Sequence, residues 1–520
     1  MQSNSHKDVK RRRPVHAAVA AALAVAVAAT PPAAPAAAPD AGGGAPATAL
    51  GSGGWAGNAW LGGASSATSL TLGNVRTVIG ANTGAAATLT GAGVGVALID
   101  TGVAPVPGLP AGQVVNGPDL SFESQSASLG YLDTYGHGTH MAGIIVGNDT
   151  ATGTKGIAPR AKLTSIKVGT ANGAVDVSQM IAAVDWVVAH RNDDPANPIR
   201  VINLSYGTGG MPDYWTDPVQ FAVEQAWKAG IVVVAAVGNS GGQMSDPATD
   251  QFVLNAGSAA TMGTLSTADD TISTFTSLTY SGGANRRTDV LAPGEAIVSL
   301  RDPGSSIDTS YPGARVGTTL FRGSGTSQAT AITSAAVALL LQARPALTPD
   351  QVKNLLMNNG TILTAGNAAG AGYRELNVNL ALAAATPTAT QNYGWSSGTG
   401  ALEAARGGTH VTDNGTLLSG ERSIFGPFDS AAWAAKSASK TSWNGGVWLG
   451  YRFAGDGWTG TSWASKTWAA ATWSGRPWGG STSWTDPGWS GRYWSGGAWV
   501  GGSWVGRYWS SDDWAAAYWG

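Results

Sequence analysis

Four short apolar runs limit what this chain can fold into: VGVALID (94–100), KLTSIKV (162–168), VINLS (201–205) and IVVVAAV (231–237). Two helical patterns separate the last three, DVSQMIAAVDWVVAH (176–190) and DPVQFAVEQAWKAG (217–230). In the second, Asp217 is placed to cap, Pro218 sits in the first turn and Gly230 ends the run, which are helix start and stop signals. Strands that lack a polar face and alternate with helices predict an α/β fold, a parallel sheet covered by helices on both faces. Open sheets of that kind hold their sites at the carboxyl ends of the strands. Asp100 and Gly238–Asn239 fall at such ends.

Texture divides the rest of the chain. A basic segment from Lys7 to Arg13, an apolar run from Ala17 to Ala29 and an A-x-A pattern at Ala26 and Ala28 predict a signal peptide over 1–30. That run is too short to span a bilayer comfortably, so no membrane span is expected after its removal. Residues 31–69, rich in Ala, Pro and Gly, read as a linker or short pro-segment. The α/β pattern fills 70–383. A polar, Gly-rich stretch over 384–430 reads as a second linker, and 431–520 as a Trp repeat module. There Trp recurs almost every fifth residue from Trp433 to Trp519, taking 16 of the chain's 22 tryptophans. A five-residue step turns by about 140° on a helix and alternates faces on a strand, so neither element makes a single stripe. Short strand-and-turn units stacked as a β-solenoid fit better. The indoles bury one another, form a platform for cell-wall glycans or other polymers, or belong to a low-complexity disordered tail.

Composition removes several functions. Lys and Arg number 30 against 32 Asp and Glu, with no basic cluster beyond the first fifteen residues, so no nucleic-acid partner is expected. Cysteine is absent, which excludes disulfides and thiol catalysis.

Chemistry concentrates at GSGTSQAT (323–330). A serine hydroxyl needs a base and the base an orienting group. Of the six histidines, His6 and His16 lie in the signal segment, His190 ends a helix beside Arg191 and Asp193, and His410 lies in the expected linker. His137 and His140, in YGHGTHMAG, remain. A nucleophile elbow of the order Ser, acid, His would have to use His410, in a segment without a strand or helix to hold it. The alternative takes Asp100 at a strand end, His137 opening a helix of small residues, and Ser327 opening the buried helix QATAITSAAVALLLQ. A helix N-terminus also points N–H groups at a developing oxyanion. Ser324 is then a loop residue and His140 a packed one.

VALIDTGV, HGTHMAG, GIAPRAKLTSIKV, INLSYG, VVVAAVGN and GTSQA stand in the order and spacing of the subtilisin-like serine proteases (subtilases, peptidase family S8), which the chain resembles over about 300 residues. The order Asp, His, Ser belongs to that resemblance. It implies a secreted serine endopeptidase of broad specificity, acting on polypeptides through an acyl-enzyme. Ser327 would be the nucleophile, His137 the base and Asp100 its orienting acid. Asn239 would be an oxyanion donor, Ser205–Tyr206–Gly207 the strand that pairs with substrate, and Ala236 and Gly238 part of the facing wall. Calcium is common in the family, yet no ligand cluster here has diagnostic spacing, and no cofactor is expected. The Trp tail is similar to tails on some secreted actinobacterial subtilases, and implies an extracellular or wall-associated location. The competing reading is a wall-binding or structural surface protein whose protease domain is secondary or inactive.

Two departures stand out. The family usually has Met after the nucleophile and Pro four positions beyond it; this chain has Gln328 and Ala331. Upstream, 31–69 is short for the family's pro-domain.

Overall fold

A computed structural model describes residues 69–449, except 111, 126–128, 172, 174, 281–285, 408, 409, 411, 414, 415, 445 and 446. The expected signal peptide, most of the 31–69 segment and the Trp repeats from 450 onward lie outside the described residues. The elements that build the site are, in chain order, β1 (Gly95–Asp100), β2 (Val114–Asp119), α1 (His137–Val146), β3 (Lys162–Lys167), α2 (Val177–His190), β4 (Ile199–Leu204), α3 (Pro218–Lys228), β5 (Val232–Ala236), β6 (Leu254–Ala260), β7 (Val290–Pro293), α4 (Thr326–Ala343), β8 (Thr361–Ile362), β9 (Arg374–Glu375) and α5 (Ser430–Ala438).

The strands form a sheet in the order β8-β9-β7-β6-β5-β4-β1-β3-β2, with Thr271–Ile272 added beside β6. Neighbours run parallel except β8 with β9 and the added strand with β6. This is the expected α/β fold, and all four apolar runs became strands. Every residue of β1 is buried, as a strand covered on both faces must be. Helices α1 and α4 pack together against the sheet, as do α2 and α3. From β1 the chain runs to β2 and β3 on one side of it and then to β4 on the other, so the order reverses at β1. A crevice opens at the carboxyl ends of strands at such a reversal, and Asp100 ends β1 there.

The helix signals hold at atomic detail. Asp217 accepts from the Val219 amide at 2.7 Å and Pro218 opens α3. Helix α2 starts with a reciprocal capping box between Asp176 and Gln179. Helix α4 is buried from Thr326 to Leu341.

The expected linker 384–430 is corrected by the structure. Leu402, Ala405, Arg406, Phe425 and Phe428 in that stretch are buried in the same core as the sheet. Arg406 pairs with Asp176 at the start of α2 through a 2.6 Å ion pair. A free linker does not bury a guanidinium; this segment is packed because Leu402, Ala405, Phe425, Phe428 and the Arg406 side chain turn inward.

The first tryptophans of the repeat follow it. Trp433, on α5, donates its indole N–H to Asp185 Oδ2 at 2.8 Å, and Trp448 donates to the same oxygen at 3.0 Å. Trp443 donates to the Ala182 carbonyl at 2.9 Å. Asp185 is buried on α2, and burial pushes its carboxyl up, against the hydroxyl and indole donors around it. Among the described residues no helix is long and apolar enough to cross a membrane.

Candidate active site

Asp100 and His137 meet at the end of β1. His137 Nδ1 lies 2.8 Å from Asp100 Oδ1, both side chains wholly out of solvent. A carboxylate can only accept, so Nδ1 carries the proton and Nε2 is left as the basic nitrogen. The same carboxylate oxygen also takes the Thr101 amide at 2.8 Å. This close approach needs Gly138: a Cβ there would stand 2.0 Å from the Gly102 carbonyl oxygen and 3.2 Å from Asp100 Oδ1. Any side chain at that position would push α1 away from β1 and lengthen the Asp100–His137 bond.

The first turn of α1 is held by a residue the sequence reading missed. Asp133 accepts from the amides of Tyr135 (3.2 Å), Gly136 (2.7 Å) and Thr139 (2.7 Å), and from the hydroxyls of Thr139 (2.7 Å) and Thr101 (2.8 Å). Thr101 Oγ1 in turn receives the Gly138 amide at 2.9 Å. Behind them Lys167, ending β3, pairs with Glu123 at 2.9 Å and donates to the Thr101 and Gly169 carbonyls. Burial pushes the Asp133 carboxyl up, and the surrounding amides and Lys167 draw it back. The sequence carried no clear signal for it: Asp133 lies four residues ahead of His137, and the capping position itself is Gly136. His140, one turn along α1, is buried, and burial with the neighbouring His137 lowers it to about 3, so it stays neutral.

Ser327 stands second in α4, which packs against α1. Its Oγ makes no hydrogen bond among the described residues. Asn239 follows β5 and Gly238, and its Oδ1 accepts from Thr326 N (2.8 Å) and Thr326 Oγ1 (2.9 Å). Those two bonds fix the amide with its oxygen on the α4 terminus and its nitrogen as the remaining donor. Ser205 donates from Oγ to the Ser327 carbonyl at 3.2 Å and receives Asn203 Nδ2 at 2.9 Å. Its hydroxyl thus braces the end of β4 to α4; only its backbone is left for the strand role expected of it. Tyr206 is buried. The segments holding Gly207 and Ala236–Gly238 meet through Ser245: its Oγ donates to the Ala236 carbonyl at 3.3 Å, and a Cβ on Gly207 would collide with it at 2.2 Å. Ser324 is tied down by the Ala296 amide at 2.8 Å, and His410 by Glu403 at 2.7 Å. Gln328 is wholly buried, and its amide has no hydrogen bond among the described residues. No cluster of three or more His, Asp or Glu that could hold a metal occurs among the described residues.

The structure thus pairs Asp100 with His137, ties Asn239 to Thr326 beside Ser327, and packs the helix that begins at His137 against the one that carries Ser327 near its start. Comparisons with known proteins identify the family. The peptidase S8 model, described as the subtilase family, matches residues 91–396. Serine protease AprX of Bacillus subtilis (strain 168) is 38% identical over 267 residues, 50% of this chain and 59% of that protein. Subtilisin DY of Bacillus licheniformis is 31% identical over 231 residues, 44% of this chain and 72% of that one. The crystal structure of a cold adapted subtilisin-like serine proteinase superposes with a TM-score of 0.43 at 27% identity, covering 56% of this chain and 90% of the other. The matched region spans less than two thirds of AprX.

Proposed function

This chain belongs to the subtilase family, and from that premise we propose that it is a secreted serine endopeptidase. Ser327 attacks the scissile carbonyl, giving its proton to His137 Nε2. His137 returns that proton to the leaving amine, and a water then repeats the sequence on the acyl-enzyme. Asp100 fixes the tautomer and stabilises the imidazolium. The Asn239 amide nitrogen and the Ser327 amide at the start of α4 donate to the oxyanion. An extended substrate adds as a strand beside Ser205–Gly207, facing Ala236 and Gly238, and recognition through backbone bonds gives broad specificity. The observation that carries this reading is the buried 2.8 Å bond between His137 Nδ1 and Asp100 Oδ1, at the start of a helix packed on the one that Ser327 opens.

In the same proposal residues 1–30 direct export, 31–69 act as a reduced pro-segment, and the Trp repeats beyond the described residues hold the secreted enzyme at the cell wall. The test is casein hydrolysis by the wild type and Ser327→Ala, with a serine-directed covalent inhibitor as control. Wild-type activity should vanish on substitution and on inhibition. Casein cleavage that persists in Ser327→Ala, or a wild type without activity, overturns the proposal.

A further inference from the structure

A cavity of about 460 Å³ lies beside, and separate from, the residues assigned above. Its mouth is formed by the loop after Thr208, which is clasped to Asp246 by two backbone bonds, Thr208 N to Asp246 O at 2.7 Å and Asp246 N to Thr208 O at 3.0 Å. The volume is within the range of small-ligand sites.

Its lining is one-sided in charge. Asp213, Asp217 and Asp246 contribute, and no Lys, Arg or His does. Tyr214, Trp215 and Tyr280 supply aromatic rings, and Trp215 is 57% exposed. At the base, buried Gln220 spends both amide protons, donating from Nε2 to Asp246 Oδ1 (2.7 Å) and to Thr249 Oγ1 (2.7 Å). Gln220 Oε1 is buried with no hydrogen-bond partner among the described residues. A buried acceptor left in that state is costly, so it calls for a donor. The site thus offers carboxyl groups, an unpartnered amide oxygen and ring faces, and no cationic side chain lines it.

We propose that this cavity binds an organic cation, an alkylammonium or guanidinium group such as lysine and arginine side chains carry. Ring faces attract such a cation, and its N–H groups supply the donor that Gln220 Oε1 calls for. A bare metal ion fits less well, since no three carboxylates or imidazoles converge to ligate one among the described residues. Burial and the neighbouring Asp217 hold the Asp246 carboxyl well above the usual carboxylate range, and an arriving positive charge offsets both.

The test is calorimetry on the full chain carrying Ser327→Ala, with n-butylammonium and n-butylguanidinium as probes and 1-butanol as the neutral control. At least one cation should bind saturably and butanol should not. Asp246→Asn should weaken binding about tenfold or more, its fold checked by circular dichroism. Trp215→Ala, its fold checked in the same way, should weaken it roughly two- to fivefold. No saturable binding of either cation, equal binding of butanol, or affinity unchanged in both variants overturns the proposal. Calorimetry needs no turnover, so its failure is distinct from failure of the protease reading. A second arm does rest on that reading: if butylammonium competes only against peptides with Lys before the cleaved bond, the site takes the substrate's own side chain. If it binds without slowing any cleavage, the site takes a separate amine; both results keep the cation site.

Discussion

Removing the side chain of Trp433 tests whether the region beyond the family match is part of the folded domain. Trp433 is wholly buried, edge-on to Phe221 of α3 at 5.3 Å between ring centres, and bonded to Asp185 of α2. Trp433→Ala loses the packing of a large ring and leaves a cavity, which costs about 3–5 kcal/mol. It also leaves a buried carboxylate short of one donor, so the upper end of that range is expected. Trp433→Phe keeps most of the ring and loses the donor, for about 1–3 kcal/mol. At about 2 °C per kcal/mol for a unit of this size, the alanine variant should melt roughly 8–10 °C lower. Thermal and urea unfolding in the Ser327→Ala background, where self-digestion cannot intervene, would measure both. In the same assay, a chain ended after Ser396 should fail to give a stable domain, and one ended after Leu449 should melt like the full chain. A chain ended at 396 with an unchanged midpoint, or a Trp433→Ala cost below about 1 kcal/mol, would refute the reasoning.

Two further predictions concern the site. His140 is lowered from 6.5 to about 3 by burial, so below pH 6.5 the unfolded chain takes up a proton that the folded one refuses. Stability should therefore fall as pH drops from about 6.5 towards 3, by up to ~1.4 kcal/mol per pH unit from this group. A His140→Gln variant whose urea midpoints follow the same slope would count against it. Gln328 has no thioether beside Ser327, so wild-type activity should outlast peroxide treatment that inactivates Gln328→Met. Equal loss in the two proteins would remove that explanation.

The sheet and most of the site were legible because each rests on a local pattern. β1, β4 and β5 are short runs with no polar face, and α3 announces itself through Asp217 and Pro218. The set Asp100, His137, Asn239 and Ser327 came from motif order rather than from any property of one residue. What stayed hidden depends on contacts distant in sequence. Asp133 looks like any polar loop residue until Thr101, 32 positions earlier, bonds to it. Arg406 and Phe428 sit in a polar, Gly-rich stretch with no period, and only the surface of α2 and α3 explains their burial. The five-residue Trp step misled in a different way. Trp433 lies on a helix, whereas Trp443 and Trp448 face each other as partners in a two-stranded hairpin. Even spacing therefore does not mean a repeated structure in this part of the chain.

The bond from Ser205 Oγ to the Ser327 carbonyl makes one joint of two parts that are usually described separately. On the proposed function, that bond fastens the segment that would receive substrate to the helix that would carry the attacking hydroxyl. Displacing one of them then shifts the other, so substrate seating and the placing of Ser327 would be coupled through the backbone.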